Sequence, residues 1–196
     1  MIPVQDQYHA VFPEFEKIEG HARLTEKTCD IIKEIYDIAK PTNMLEIGFN
    51  AGHTAFGWMT LCPELSYHSV DICYHPHTEP HAEKIKELFT DRFNFAKLDS
   101  KELTPDMIEQ YDMVFIDGDH SERGLHSDYE LCNKAKIKWL LIDDYTLRAY
   151  IYDFLNHIHR SENHKYEMVK VYEYDSEWDG TVPDATSQMA LFRRID

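Results

Sequence analysis

Short apolar runs alternate with amphipathic stretches along most of the chain, and this alternation restricts the fold more than any other feature. The apolar runs predict strands at Met44–Gly48, Tyr67–Asp71, Phe93–Leu98, Asp112–Asp117 and Trp139–Asp143. Helices are predicted at Thr25–Lys40, Ala51–Leu61, Pro80–Thr90, Thr104–Gln110, Ser121–Asn133 and Leu147–His159. Strands that alternate with helices in this way indicate βαβ units and a parallel sheet.

The end of the chain breaks the alternation. Tyr166–Tyr174 and Thr186–Arg193 predict two consecutive strands joined by a turn-rich segment, which is typical of an antiparallel hairpin. The 196 residues are enough for one sizeable core and too few for two ordinary enzyme domains. We therefore expect one α/β domain over residues 1–196, with a mostly parallel seven-stranded sheet, a C-terminal antiparallel hairpin and helices on both faces.

The first 22 residues show no clear periodicity, yet they contain Tyr8, Phe12 and Phe15. This is more aromatic surface than a solvated tail needs, so we expect residues 1–22 to form a lid or a contact in a homo-oligomer. The chain has no basic segment followed by an apolar run and no long apolar stretch. We therefore expect neither a signal peptide nor a membrane span.

The composition narrows the class of partner. Thirty-six acidic residues against twenty basic ones give a formal net charge of -16. Such a field repels phosphate backbones and anionic headgroups, so neither nucleic acid nor a membrane surface is expected as a partner. The four cysteines form no Cys-x-x-Cys pair, which argues against a zinc knuckle or a redox dithiol and favours a cytoplasmic protein.

Gly48, Gly52 and Gly57 lie at one strand-to-helix junction, although the chain has only 7 glycines. Glycine permits positive φ and lets a ligand approach the backbone closely. The dinucleotide fingerprint G-x-G-x-x-G is absent, because Phe49 and Asn50 follow Gly48, but Asn tolerates left-handed backbone better than most residues. The junction predicts a cofactor-binding turn, and a tight turn without a ligand is the alternative.

Polar residues end the next two predicted strands. Ligands in such sheets bind outside the carboxyl ends of the strands. Asp71 ends the second strand, where its carboxylate can accept both hydroxyls of a ribose, and a loop cap is the alternative. Asp99 and Ser100 end the third strand, where they are also compatible with an ordinary helix cap.

Two apolar strands end in carboxylates. One reads Val114-Phe-Ile-Asp-Gly-Asp-His-Ser and the other Leu140-Leu-Ile-Asp-Asp-Tyr. If these strands are neighbours, Asp117, Asp143 and Asp144 converge, and clustered carboxylates repel one another unless a cation or protons neutralise them. Hard oxygen ligands suit Mg²⁺, Ca²⁺ or Mn²⁺, so the sequence predicts a divalent-metal site. Aspartates that cap two helices are the alternative.

These motifs together resemble class I S-adenosylmethionine-dependent methyltransferases. The glycine junction resembles their motif I, and five βα units followed by a hairpin is their order of elements. The two acidic segments resemble the metal-dependent O-methyltransferases, both the catechol and caffeoyl type and the macrolide-sugar (macrocin and mycinamicin) type. These enzymes hold Mg²⁺ with an aspartate after the fourth strand and an acidic pair after the fifth. Three residues beyond the first metal aspartate, the catechol type has a base lysine and the sugar type a histidine. Here that residue is His120, so the sugar type is the closer match.

The resemblance implies a role for each position. It implies O-methylation of a small-molecule hydroxyl, such as that of a sugar or polyol, with S-adenosylmethionine and Mg²⁺ as cofactors. Among the implied cofactor-binding residues, Glu46 lies at the cofactor's amino-acid end, and Gly48, Asn50 and Gly52 lie beneath the cofactor. Asp71, Asp99 and Ser100 contact the ribose and adenine, and Asp117 is also implied. The implied metal ligands are Asp117, Asp143 and Asp144, and the implied catalytic base is His120.

Other interpretations stay open. Cys73, His75, His77 and His81 lie close together in sequence, where they either bind a transition metal or flank the cofactor pocket and face water. Tyr145 and Trp178 are candidates for the acceptor site. The alternatives to O-methylation are a different reaction on the same scaffold, either another use of S-adenosylmethionine or a hydroxylase-like one, and a non-catalytic metabolite-binding domain.

Overall fold

The computed structural model describes residues 2–13, 21–145, 149–160, 164–177 and 186–196. The helices of these residues are α1 Val4–Val11, α2 Glu26–Ala39, α3 His53–Leu61, α4 Thr78–Phe89, α5 Pro105–Ile108, α6 Glu122–Lys134 and α7 Ala149–Arg160. The strands are β1 His21–Ala22, β2 Asn43–Ile47, β3 Ser66–Asp71, β4 Phe93–Lys97, β5 Met113–Ile116, β6 Trp139–Ile142, β7 Tyr166–Glu177 and β8 Thr186–Arg194. None of these helices is both long and apolar enough to cross a bilayer.

The strands form a single sheet in the order β1-β7-β8-β6-β5-β2-β3-β4. Strands β2 to β6 pair in parallel, whereas β8 lies antiparallel to both β6 and β7. Apart from β1, a two-residue strand on the edge of β7, this is the mostly parallel seven-stranded sheet with a C-terminal hairpin that the sequence predicts. The strand order reverses between β2 and β5, and ligands bind at such a reversal in open α/β sheets.

Helices cover both faces of the sheet, as expected. On one face, α1 to α4 bury residues such as Trp58 and Ile35 against Met44 and Phe115. On the other face, α5 to α7 pack on a second apolar cluster that includes Val114. Strands β5 and β6 are buried on both sides, which is why their sequences read as continuous apolar runs rather than as an alternation.

The local signals that start and stop the helices explain their bounds. Thr25 caps α2 by accepting a hydrogen bond from the Thr28 amide, and Lys40 ends this helix in the left-handed conformation directly before Pro41. Ser121 caps α6 in the same way, by accepting from the Gly124 amide. Helix α5 is shorter than its predicted range, and residue 147, the predicted start of the last helix, lies outside the described residues.

The N-terminal segment differs from the expectation. Helix α1 packs on the chain's own core, where Tyr8 is 0% and Phe12 2% exposed. Tyr8 stacks on His53 at 4.0 Å between ring centroids, and Phe12 stacks on His81 at 4.3 Å. The aromatic surface that suggested a neighbouring subunit is therefore buried within the chain, while Phe15 lies outside the described residues. A homo-oligomer stays an untested prediction.

Candidate functional site

A cavity of about 550 Å³ lies at the carboxyl ends of β2 to β5. It lies where the strand order reverses, so the topology alone brings the ends of these strands together. Most of the predicted site residues line it, namely Gly48, Asn50, Asp71, Asp99, Ser100, Asp117 and His120. Residues far apart in sequence thus line the same cavity, as the motif analysis predicts.

The glycine turn has an unusual backbone. Gly48, Asn50 and Gly52 have φ values of 97°, 49° and 79°. A side chain on Gly48 would place its Cβ 2.1 Å from the backbone oxygen of Asp117, closer than atoms can approach. Gly48 is therefore required because the ends of β2 and β5 touch through their backbones. Asn50 adopts left-handed geometry, as its residue type allows.

Asp71 holds this turn in place. Its Oδ2 accepts hydrogen bonds from the amides of Phe49 at 2.8 Å and Asn50 at 3.0 Å, and its Oδ1 accepts from the Cys73 amide at 2.6 Å. A carboxylate offers about four lone-pair sites, so about one is left for a ligand. The sequence predicts that Asp71 accepts two ribose hydroxyls, and the structure leaves room for about one.

Two predicted cofactor residues do not line the cavity. Glu46 is buried beneath the turn, where Ser69 donates a hydrogen bond of 2.6 Å to its Oε2 and burial raises its pKa to about 8. A side chain on Gly52 would meet the ring of Phe49 at 2.4 Å and Ile85 at 2.7 Å. Gly52 is therefore required by packing within the chain, because its missing side chain leaves room for those residues and not for a ligand.

The far wall of the cavity is formed by the loop after β4. Asp99 accepts a hydrogen bond from the Lys101 amide and so caps a short 3-10 helix at Ser100–Glu102. Asp128 of α6, a residue that the sequence analysis did not single out, is buried behind this loop and accepts a hydrogen bond from Ser100. Burial raises the pKa of Asp128 to about 6. No short motif marks Asp128, so the sequence alone gives little signal for it.

The three predicted metal aspartates converge at the ends of β5 and β6. Desolvation raises the pKa of Asp117 well above its usual value, and repulsion by Asp143 and Asp144 raises it further. Burial likewise raises the pKa of Asp143. The three carboxylates therefore lie close together, as the sequence predicts, and their negative charges repel one another.

Protein donors already contact two of these carboxylates. Tyr174 of β7 lies 2.8 Å from both oxygens of Asp143, and Ser187 of β8 donates to Asp144 at 3.0 Å. Within the described ranges, no group of three His, Cys, Asp or Glu side chains has an arrangement that would hold a metal ion. The oxygen donors suit a hard cation in kind, but their arrangement does not form its site.

His120 is held by two carboxylates. Its Nδ1 lies 2.8 Å from Asp144 Oδ2, and its Nε2 lies 3.5 Å from Asp117 Oδ1. Its backbone carbonyl accepts a short hydrogen bond from the Tyr150 hydroxyl of α7. A carboxylate at Nδ1 fixes the tautomer and the orientation of the ring, as a histidine that accepts protons at Nε2 requires.

A second cavity, of about 30 Å³, lies on the other side of Asp117. Asp117 and Asp143 line it together with Tyr174 and with apolar residues of α2 and α3. Tyr174 was missed by the motif analysis, although its place on the inward face of a predicted strand is visible from the alternation of that strand. Tyr145, a predicted acceptor residue, is instead buried in the core beside α7, and Trp178 lies outside the described residues.

The histidine loop flanks the cavity. His75 lines it and stacks on His77 at 5.1 Å, while His77 and His81 contact the glycine turn through Asn50 and Ala51. Of the two interpretations from sequence, the structure matches the one in which these histidines flank the pocket.

Comparison with known proteins agrees with this geometry. A family profile described as "Methyltransferase domain" matches residues 45–145, which include the glycine turn and both acidic segments. No curated protein sequence gives a match.

Solved structures share the fold at low sequence identity. A methyltransferase of Podospora anserina with bound S-adenosylhomocysteine has a TM-score of 0.68 at 12% identity, with coverage of 100% of this chain and 89% of that chain. A candidate caffeoyl-CoA O-methyltransferase of Staphylococcus aureus has a TM-score of 0.64 at 13% identity, covering 98% and 91%. A candidate RNA methyltransferase of Pyrococcus horikoshii has a TM-score of 0.68 at 10% identity, covering 100% of both. The profile match spans more than half of the chain, which therefore belongs to the methyltransferase-domain family.

Proposed function

We propose that this protein uses S-adenosylmethionine to methylate a hydroxyl group of a small molecule. The observation that carries the proposal is that the glycine turn, Asp71, Asp99, Ser100 and His120 all line one cavity. Its volume of about 550 Å³ is typical of small-ligand sites. The O-methyltransferase among the similar folds supports the proposal, as does the charge of -16, which disfavours a nucleic-acid substrate.

Transfer to oxygen needs alignment and a base. The methyl group of a sulfonium is already activated, so the protein mainly has to hold the two reactants in line. The hydroxyl has to lose its proton, and a histidine near neutral pH is suited to accept it. In our proposal, Asp144 orients the ring of His120 through Nδ1, and Nε2 beside Asp117 accepts the proton.

Binding of S-adenosylhomocysteine, the product form of the cofactor, tests the cofactor. We expect the protein to bind it in calorimetry, and Asp71→Ala to weaken binding by at least about tenfold, because a hydrogen bond to a charged group contributes about 1.5–3 kcal/mol. Asp112→Ala is a matched control. Asp112 also accepts backbone amides, from Thr42 and Asn43, but away from the cavity, so this variant should bind like the unaltered protein. Tight binding of NAD with none of S-adenosylhomocysteine would overturn the proposal.

A divalent cation is a second and separate proposal, carried by the mutual repulsion of Asp117, Asp143 and Asp144. If these carboxylates hold Mg²⁺, the cation would lower the pKa of the acceptor hydroxyl. To bind there, it would have to replace contacts such as that of Tyr174 with Asp143.

Removal of divalent cations tests this second proposal. If the cation takes part in the reaction, dialysis against EDTA should stop methyl transfer but not binding of S-adenosylhomocysteine, because the predicted cofactor contacts lie mainly on β2 to β4. Added Mg²⁺ should bind in calorimetry, and Asp143→Asn should abolish that binding. Asp128→Asn, which changes another buried acid outside the cluster, should leave it intact. Full activity in EDTA would remove the metal from the mechanism.

A further inference from the structure

The backbone carbonyl of Ala51, inside the glycine turn, accepts two side-chain hydrogen bonds. Tyr8 of α1 donates its hydroxyl proton at 2.9 Å, and His81 of α4 contributes Nδ1 at 2.8 Å. A carbonyl only accepts, so the histidine proton is on Nδ1. Both donors are buried, with Tyr8 0% and His81 4% exposed, and neither lines the cavity.

These two donors come from different parts of the chain and are themselves held by ring contacts. Tyr8 stacks on His53 at the start of α3, and Phe12, directly after α1, stacks on His81. Lys84 of α4 also donates to the carbonyl of Val11 at the end of α1. Helix α1 therefore joins α3 to α4 directly behind the turn.

The turn needs such support because three of its residues have positive φ. Asn50, which lines the cavity, has a φ of 49°, a left-handed conformation that its residue type tolerates but does not favour. Strained backbone persists only when its surroundings hold it in place. On the cavity side, Asp71 accepts the amides of Phe49 and Asn50. His77 also contacts Asn50 Oδ1 at 2.9 Å, and Tyr8 and His81 fix the Ala51 carbonyl.

We infer that Tyr8 and His81 are positioning residues of the cofactor site, which hold the Ala51 carbonyl and through it the part of the turn that faces the ligand. This inference rests on the proposed cofactor. Helix α1 then supports the cofactor site from behind. The shared acceptor makes the inference specific, because either donor alone keeps the buried carbonyl hydrogen-bonded.

A double-mutant cycle tests this. Tyr8→Phe keeps the ring and removes the hydroxyl, and His81→Leu removes the other donor. We expect each change alone to weaken binding of S-adenosylhomocysteine by about threefold to fivefold, since the carbonyl keeps one partner. The double variant should bind S-adenosylhomocysteine about 100-fold more weakly, a larger loss than the product of the two single losses. The reason is that a buried acceptor without any hydrogen-bond partner is the costly state. His81→Asn, which offers an amide donor near the position of Nδ1, should restore much of the affinity lost in His81→Leu.

Controls separate positioning from general destabilisation. Tyr166→Phe removes another buried hydroxyl that donates to a backbone carbonyl, that of Ile137 at 2.8 Å, far along the chain in the tail hairpin. It should lower the melting temperature and leave the affinity unchanged. Adenosine lacks the homocysteine part that is expected over the turn. The double variant should therefore lose less than about twofold in its affinity for adenosine.

Three outcomes would overturn the inference. They are unchanged affinity in the double variant, losses that simply multiply, and equal losses for adenosine and S-adenosylhomocysteine. A different result, no binding of S-adenosylhomocysteine by the unaltered protein, would instead refute the proposed cofactor. All measurements are made well below the melting temperature of each variant, so that every protein is folded.

Discussion

Replacing His120 with alanine is expected to slow methyl transfer by about 10²–10⁴-fold, the usual contribution of a general base. Binding of S-adenosylhomocysteine should change little, because Asp71, Asp99 and Ser100 stay in place. Raising the pH should restore part of the rate, since hydroxide can take the proton that His120 no longer accepts. The measurement is the formation of S-adenosylhomocysteine from S-adenosylmethionine, with an acceptor found by screening catechols, sugars and polyols.

His126→Ala is the matched control for this experiment. His126 lies on the exposed side of α6, where its ring packs on Phe154, and it does not line the cavity. This variant should keep the full rate at every pH. If His120→Ala is equally active, His120 is a loop histidine without a catalytic role, and the proton has to leave by another route.

Gly48→Ala is expected to destabilise the fold by about 4 kcal/mol, a large value for one methyl group. The new Cβ would lie 2.1 Å from the backbone oxygen of Asp117, and a φ of 97° is unfavourable for any residue with a side chain. Overpacking and backbone strain each cost roughly 1–3 kcal/mol, and here neither can relax without separating β2 from β5. In a chain of this size, the melting temperature should fall by about 10 °C.

Gly118→Ala provides the comparison across the same contact. Its Cβ would meet Ile47 Cγ2 at 3.3 Å, a tight contact with the end of a side chain, and its φ is not positive. We expect the free energy of unfolding of this variant to fall by less than about 1 kcal/mol. Similar losses in the two variants would mean that the backbone contact between β2 and β5 relaxes easily, contrary to the geometry.

The sequence predicts the strands and their order along the chain well because each parallel strand is a short apolar run with a polar or glycine residue at its end. Asp71 and Asp117 follow directly from that pattern, and both lie on the cavity. Helix α1 was not predicted, although Val4, Tyr8 and Val11 recur at helical spacing, because a helix of 8 residues is too short for its period to stand out in the sequence. Its stability comes from the packing of Tyr8 and Phe12, which depends on tertiary structure.

Side-chain directions and partners were the part that sequence reasoning could not supply. The motif places Glu46 and Gly52 next to the cofactor turn along the chain, but whether they face a ligand or the core depends on Ser69, Phe49 and other residues distant in sequence. In the same way, the sequence predicts that three aspartates meet. It does not show that Tyr174 of the tail hairpin contacts one of them.

The backbone contact between Gly48 and Asp117 couples the cofactor turn to the loop that follows β5. Because no side chain separates the two strand ends, the cofactor turn and the start of the loop that carries His120 form one mechanical unit. A mutation that moves one end moves the other. A substitution that displaces the turn should therefore displace His120 as well, and so alter both the affinity for the cofactor and the rate of methyl transfer.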